Sequence, residues 1–250
     1  MTYSILATDP ATGEIGIAVA SRFFACGAAV PYVGARAAVA TQAFVNPLWG
    51  VEGLALLAEG RSAEEVLETF KSRDAGEALR QAHVMDAEGR FAAHTGAECT
   101  DWAGHLIRDD HSVAGNMLTS PEVIEETSRT FAETSGPLAR RLLAAMKAGE
   151  VAGGDKRGRQ AAGLVIHRGQ DYAHLSLRVD DDADPLAELE RLLDVAGERY
   201  LMVAETFPTA DNFSGMVDRR PIDAAIAEAD EHRRQEGRST ASRATSKDDL

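Results

Sequence analysis

The chain has 250 residues, with 26 Lys+Arg against 40 Asp+Glu, for a net charge of -14. Such acidity disfavours non-specific binding to nucleic acid and to anionic membranes. Hydrophobic residues make up 44% and mean hydropathy is -0.21, enough for the core of one sizeable domain, while no apolar run approaches the roughly 18–20 residues of a membrane helix. The two cysteines, Cys26 and Cys99, form no metal-type pair, and nothing signal-like opens the chain. A cytoplasmic protein with free thiols, without metal or cofactor, is the expectation.

In chain order, residues 2–8 alternate Tyr3, Ile5 and Ala7 against Thr2, Ser4 and Leu6, the period of a strand. Asp9-Pro10 and Thr12-Gly13 make a turn, and residues 15–21 return as a second strand. Residues 23–32 read as an apolar loop and residues 35–42 as a third strand. Helical spacing over residues 48–58 ends at Gly60, and Ser62 with Glu65 forms a capping box that opens a helix to about Ser72. Residues 80–86 and 90–95 form a second hairpin; residues 102–107 and 112–116 are two further short strands. Helices follow over 121–133 and 137–148, then the loop GGDKRGRQ at 153–160, strands at 161–167 and 172–179, and a helix over 185–205. A charged helix spans 221–235, and the polar remainder, 236–250, is too poor in apolar residues to order. The predicted organisation is therefore one domain over 1–220 with a charged helix and disordered tail over 221–250. Strands in blocks beside pairs of helices exclude regular βαβ alternation and predict an α+β fold. Two stacked antiparallel sheets covered by helices fit the order, as does a two-layer domain.

Three stretches could carry chemistry. Thr2 stands directly behind the initiator methionine; if Met1 is removed, its hydroxyl and a neutral α-amine share one residue as nucleophile and base. The loop at 153–160 could orient that amine through Asp155 and hold a substrate anion with Lys156 and Arg157, beside Gln160. Gly115-Asn116, at a strand end, could present donors to an oxyanion. Arg22, Gln42 and Asn46 are polar residues where strands finish, candidates for lining a substrate cleft. Ser4 and Cys26 are alternative nucleophiles. The seven histidines show no metal-ligand spacing, and GxSxG is missing.

Taken together, TYSI, AVASRFFA, ATQAFVNP, DWAGH, AGN and AGGDKRGRQ resemble a bacterial and archaeal family of unknown function placed in the N-terminal-nucleophile (Ntn) hydrolase superfamily. The likeness covers residues 2–205. It implies a four-layer αββα sandwich and hydrolysis of an amide bond by an N-terminal residue. More distantly, the chain is similar to proteasome β subunits and plant-type asparaginases, whose leading threonine is the nucleophile, a role carried here to Thr2. The third strand lacks the lysine of proteasome-type sites, so either Lys156 would supply the positive charge or the amine would work without it. The expected function is an amidohydrolase acting on a C–N bond of a small polar substrate. Thr2, Asn116, Asp155 and Lys156 are its catalytic candidates; Arg22, Gln42, Asn46, Gly115, Arg157 and Gln160 are its substrate-binding candidates. No nucleic-acid or membrane partner is expected, and a homodimer or higher homo-oligomer is. The alternative is a non-catalytic ligand-binding or assembly protein that keeps the fold.

Overall fold

Strands β1 (Thr2–Asp9) and β2 (Glu14–Ser21) pair as the hairpin that their alternation and turn residues call for. The computed structural model describes residues 2–245; Met1 and residues 246–250, and the expectations that fall on them, lie outside the described residues. Residues 23–32 are no plain loop: they hold the short helix α1 (Cys26–Ala29) and the start of β3 (Pro31–Val33). Pro31 is tolerated because β3 is an edge strand, where a missing N–H costs no ladder bond. The predicted third strand accordingly begins later, as β4 (Ala38–Ala43).

Helix α2 (Pro47–Ala58) starts with proline in its first turn and is capped by Asn46, whose Oδ1 accepts the Leu48 N–H at 3.1 Å. Helix α3 (Ala63–Arg73) opens with both bonds of the Ser62–Glu65 capping box. Then come β5 (Arg80–Met85), β6 (Phe91–Thr95), β7 (Gly104–Ile107) and β8 (His111–Asn116). The helices α4 (Glu122–Glu133) and α5 (Leu138–Val151), the strands β9 (Ala161–Arg168) and β10 (Leu175–Val179), and helix α6 (Pro185–Val195) complete the main body.

The strands form two antiparallel sheets, ordered β10-β9-β2-β1-β8-β7 and β3-β4-β5-β6. The pleat decides what each face meets. Leu6, Ile15, Ile17 and Val19 of the first sheet share one buried core with Ala38, Ala40, Met85 and Phe91 of the second. The alternate residues Val39, Ala82 and Val84 turn the other way, onto Trp49, Val66 and Phe70 of α2 and α3. On the far side of the first sheet, the Tyr3 hydroxyl donates to the Met146 carbonyl of α5 at 2.9 Å. The order is helices, sheet, sheet, helices: an α+β sandwich, not a two-layer domain.

Close backbone approach sets one requirement. A Cβ on Gly163 of β9 would stand 2.6 Å from the Cα of Gly27 in α1, with backbone rather than a yielding side chain in its way. Gly163→Ala is expected to cost about 1–3 kcal/mol, read as a lower urea midpoint at unchanged slope.

The chain divides into two compact units, Met1–Leu189 and Glu190–Leu250, earlier than the boundary read at residue 220. The second unit continues from α6 through a wide helical turn, Ala196–Tyr200, into α7 (Leu201–Ala204), and carries α8 (Arg220–Gln235). Within it, Glu198 accepts bonds from the Thr240 hydroxyl and the Ala241 N–H, and Arg191 donates to the Ala241 carbonyl. Part of the segment read as a free tail is thus pinned by polar side chains, which hydropathy does not register. No helix among the described residues is long and apolar enough to cross a membrane.

Candidate active site

Thr2, Ser4 and Leu6 lie on the face of β1 that looks toward the second sheet, and the environment changes along that line. Leu6 sits in the apolar inter-sheet core. One step on, Ser4 donates to the Gln42 Oε1 at 2.6 Å and meets His83 Nε2 at 2.9 Å, and His83 Nδ1 meets the Ser112 hydroxyl at 3.1 Å. Because the Ser4 proton goes to Gln42, His83 donates from Nε2 and accepts from Ser112 at Nδ1. Complete burial keeps the imidazole neutral, its pKa lowered to about 3. Another step on stands Thr2, 6% exposed, whose hydroxyl donates to the Ser21 Oγ at 3.2 Å.

Thr2 is flanked by the ends of two strands. It pairs with Asn116 of β8, and Ser21 ends β2 on its other side. The Asn116 amide donates to Gln81 Oε1 at 3.0 Å and, more weakly, to the Thr2 carbonyl at 3.5 Å. Gln81 also receives Gln42 Nε2 at 2.9 Å and donates to the Gly115 carbonyl at 2.8 Å. Gln42, Gln81 and Asn116 therefore form a buried amide chain that ends on the backbone of Thr2. Both Asn116 amide hydrogens are taken by protein acceptors, so its side chain orients Thr2 and is not an open oxyanion donor. Gly115 is a packing glycine: a Cβ there would run into the Leu118 side chain and crowd the Tyr3 Cβ.

The loop at 153–160 lies alongside. Asp155 is buried and bridges to Leu118; its Oδ2 accepts the Arg22 N–H and its Oδ1 the Arg157 N–H, both at 2.8 Å. It thereby ties the residue after Ser21 to the glycine-rich loop. Asp155→Ala leaves two amides without that acceptor and is expected to cost about 1–3 kcal/mol, measured by urea denaturation; Asp155→Asn should restore part of it. Arg157 is paired with Asp155, and Lys156 Nζ donates to the Asp101 carbonyl at 2.7 Å. Gln160 holds Asp181 at 3.0 Å beside Arg22.

Asn46 is not brought to Thr2. Its cap bond to α2 and its 2.9 Å bond to Asp74 make it part of a structural hub with Trp49 and Arg80. The alternative nucleophiles fare no better. Ser4 is sealed, and it accepts a hydrogen bond from His83 Nε2, which is therefore not placed to act as its base. Cys26 is 1% exposed, and burial pushes its thiol up to about 12. A Ser128–His111–Asp110 relay also exists, with both links at 2.7 Å. Ser128 lies within α4, where the neighbouring backbone amides are committed to the helix and offer no oxyanion donor. It is a packing relay.

Two clefts open at the Thr2 end. One, of about 490 Å³, is lined by Arg22, Arg159, Gln160, Asp181 and Asp182. The other, of about 420 Å³, is lined by Ala43, Phe44, Leu79, Cys99, Asn116 and Met117, among others. Ser21, Gln81 and most of this second cleft escape sequence reading, because register between distant strands leaves no local signal. Among the described residues, the non-glycine positions with left-handed backbone are Ala25 (φ 55), Ala43 (φ 68) and Met117 (φ 53). Ala25 and Met117 follow β2 and β8, and Ala43 is the last residue of β4, all at the Thr2 end. Such conformations cost of order 1–3 kcal/mol each and gather where function over-determines the backbone.

No curated protein matches the sequence. A crystal structure of a protein from Silicibacter pomeroyi, itself assigned to the DUF1028 family, superposes with a TM-score of 0.80 at 32% identity, over 87% of this chain and 99% of that one. The family model for DUF1028, a family of unknown function, matches residues 2–189, the span of the first compact unit but for Met1. The chain therefore belongs to the DUF1028 family.

Proposed function

We propose that the protein is an Ntn-type hydrolase of amide C–N bonds in small molecules, with Thr2 as nucleophile once Met1 is removed. One observation carries it. Thr2 begins a central strand of one sheet of a sandwich, its hydroxyl on the inner face and bonded to Ser21, at the end where the clefts and the strained strand ends gather. The layer order of helices around two sheets supports an Ntn-hydrolase fold.

The chemistry follows from Thr2 alone. Its free amine, with a reference pKa near 7.7–8.0, is neutral in part at pH 7, and that fraction serves as the base. The amine takes the hydroxyl proton as Oγ1 bonds to the substrate carbonyl carbon, then passes that proton to the departing nitrogen as the C–N bond breaks. Water, activated by the same amine, cleaves the ester and restores Thr2. Ser21 fixes the hydroxyl, the Gln42–Gln81–Asn116 chain fixes the backbone, and Asp155 fixes the loop that carries Lys156.

Intact mass of the purified protein tests this proposal. The expected species is lighter than the encoded chain by one methionine residue. Active protein that retains Met1 would contradict it, because the base would then be an amide nitrogen.

A further inference from the structure

Thr2 stands between two clefts of unlike character. On the Asn116 side, the Phe44 ring is 68% exposed and Leu79 is 36% exposed. Phe44 is nevertheless fixed: the Arg80 guanidinium lies 5.1 Å from its centroid, and Arg80 Nη1 donates to its carbonyl at 2.6 Å. A held, solvent-facing aromatic in a cleft is a preformed apolar site. On the Ser21 side lies Arg22. Its Nη1 donates to the Arg157 carbonyl at 2.8 Å, and among the described residues no carboxylate pairs with it. Of the other groups of that cleft, Arg159 is paired with Glu150 and Asp184, while the exposed Asp181 and Asp182 carboxylates accept from Gln160 and from the Asp184 N–H and keep their charge.

Geometry sets the span. Adjacent strands lie about 4.8 Å apart, so Ser21, next to Arg22 of one cleft, and Asn116 of the other stand roughly 10 Å apart with Thr2 between them. An extended chain covers that in about three residues, at roughly 3.3–3.6 Å each. Resting on the Thr2 proposal, we infer that the substrate is a small amide with an apolar group on one side of the scissile bond, seated on Phe44 and Leu79, and a carboxylate on the other, seated on Arg22. This makes it the size of an N-acyl amino acid.

Calorimetric titration of the non-turning-over Thr2→Ala protein tests this inference, with N-phenylacetylglycine and the reversed arrangement N-succinylbenzylamine as probes. At least one should bind, and adding Phe44→Ala or Arg22→Gln should each weaken it about tenfold or more, with melting temperatures unchanged. The matched amide without a carboxylate should be indifferent to Arg22→Gln, and N-acetylglycine should be indifferent to Phe44→Ala. Binding of neither probe, or binding unaltered by both variants, overturns the inference. Failure of the Thr2 proposal shows separately, as retained Met1 or as turnover that survives Thr2→Ala.

Discussion

Thr2→Ala is expected to lower turnover by at least about 10³-fold, because it removes the nucleophile and nothing near it can substitute. Ser21 has no amine on its own residue to set the geometry, Ser4 is buried and hydrogen-bonded on both sides, and Cys26 is sealed with its thiol pushed up to about 12. Stability should fall far less, by about 0.5–1.5 kcal/mol, the worth of one hydroxyl bond to Ser21. Thr2→Ser keeps the hydroxyl and amine in register and should retain activity at a reduced rate. Steady-state kinetics beside a urea melt separate these effects. Equal losses of activity and stability would mean that Thr2 is merely a strand residue.

The second large effect is on stability against pH. The pKa of His83 is about 3 in the folded protein and about 6.5 when unfolded. Below pH 6.5 the unfolded chain takes up a proton that the folded chain refuses, so stability drops as pH falls. The loss from this one group is about 1.4 kcal/mol per pH unit through that window, and on the order of 5 kcal/mol by pH 3. His105, His111 and His167 are also lowered by burial and act in the same direction. His83→Gln should be less stable at neutral pH, having lost bonds to Ser4 and Ser112, yet show a shallower acid slope. Urea melts between pH 7 and pH 4 measure both, and an unchanged slope would show that His83 titrates normally.

The parts of the fold that were legible in the sequence are those with a local cause. The β1–β2 hairpin follows from alternation and turn residues, and α3 follows from Ser62 and Glu65 as a capping box. Helix α1 and strand β3 were not, since residues 23–32 are apolar without period and their order comes from contact with β9 and β4. Asn46 shows how a local signal can be misassigned. An asparagine before proline is a helix-cap signature, and it serves as one here, though its place at a strand end suggested a cleft. Gln42 likewise stands out as a polar residue in an apolar strand. Its amide chain to Gln81 and Asn116 depends on which strands face each other, and one sequence does not display that. The same holds for Phe44 and Met117, whose cleft joins the ends of both sheets.

The most direct measurement is covalent capture of the nucleophile. Protein incubated with an electrophilic β-lactone, which acylates catalytic hydroxyls, is digested and the modified peptide is mapped by mass spectrometry. The account predicts one adduct, on a peptide that begins at Thr2 and carries the acyl group on that residue, absent in Thr2→Ala. An adduct on Ser21, Ser128 or Cys99 instead, or an acylated peptide that still carries Met1, would contradict it.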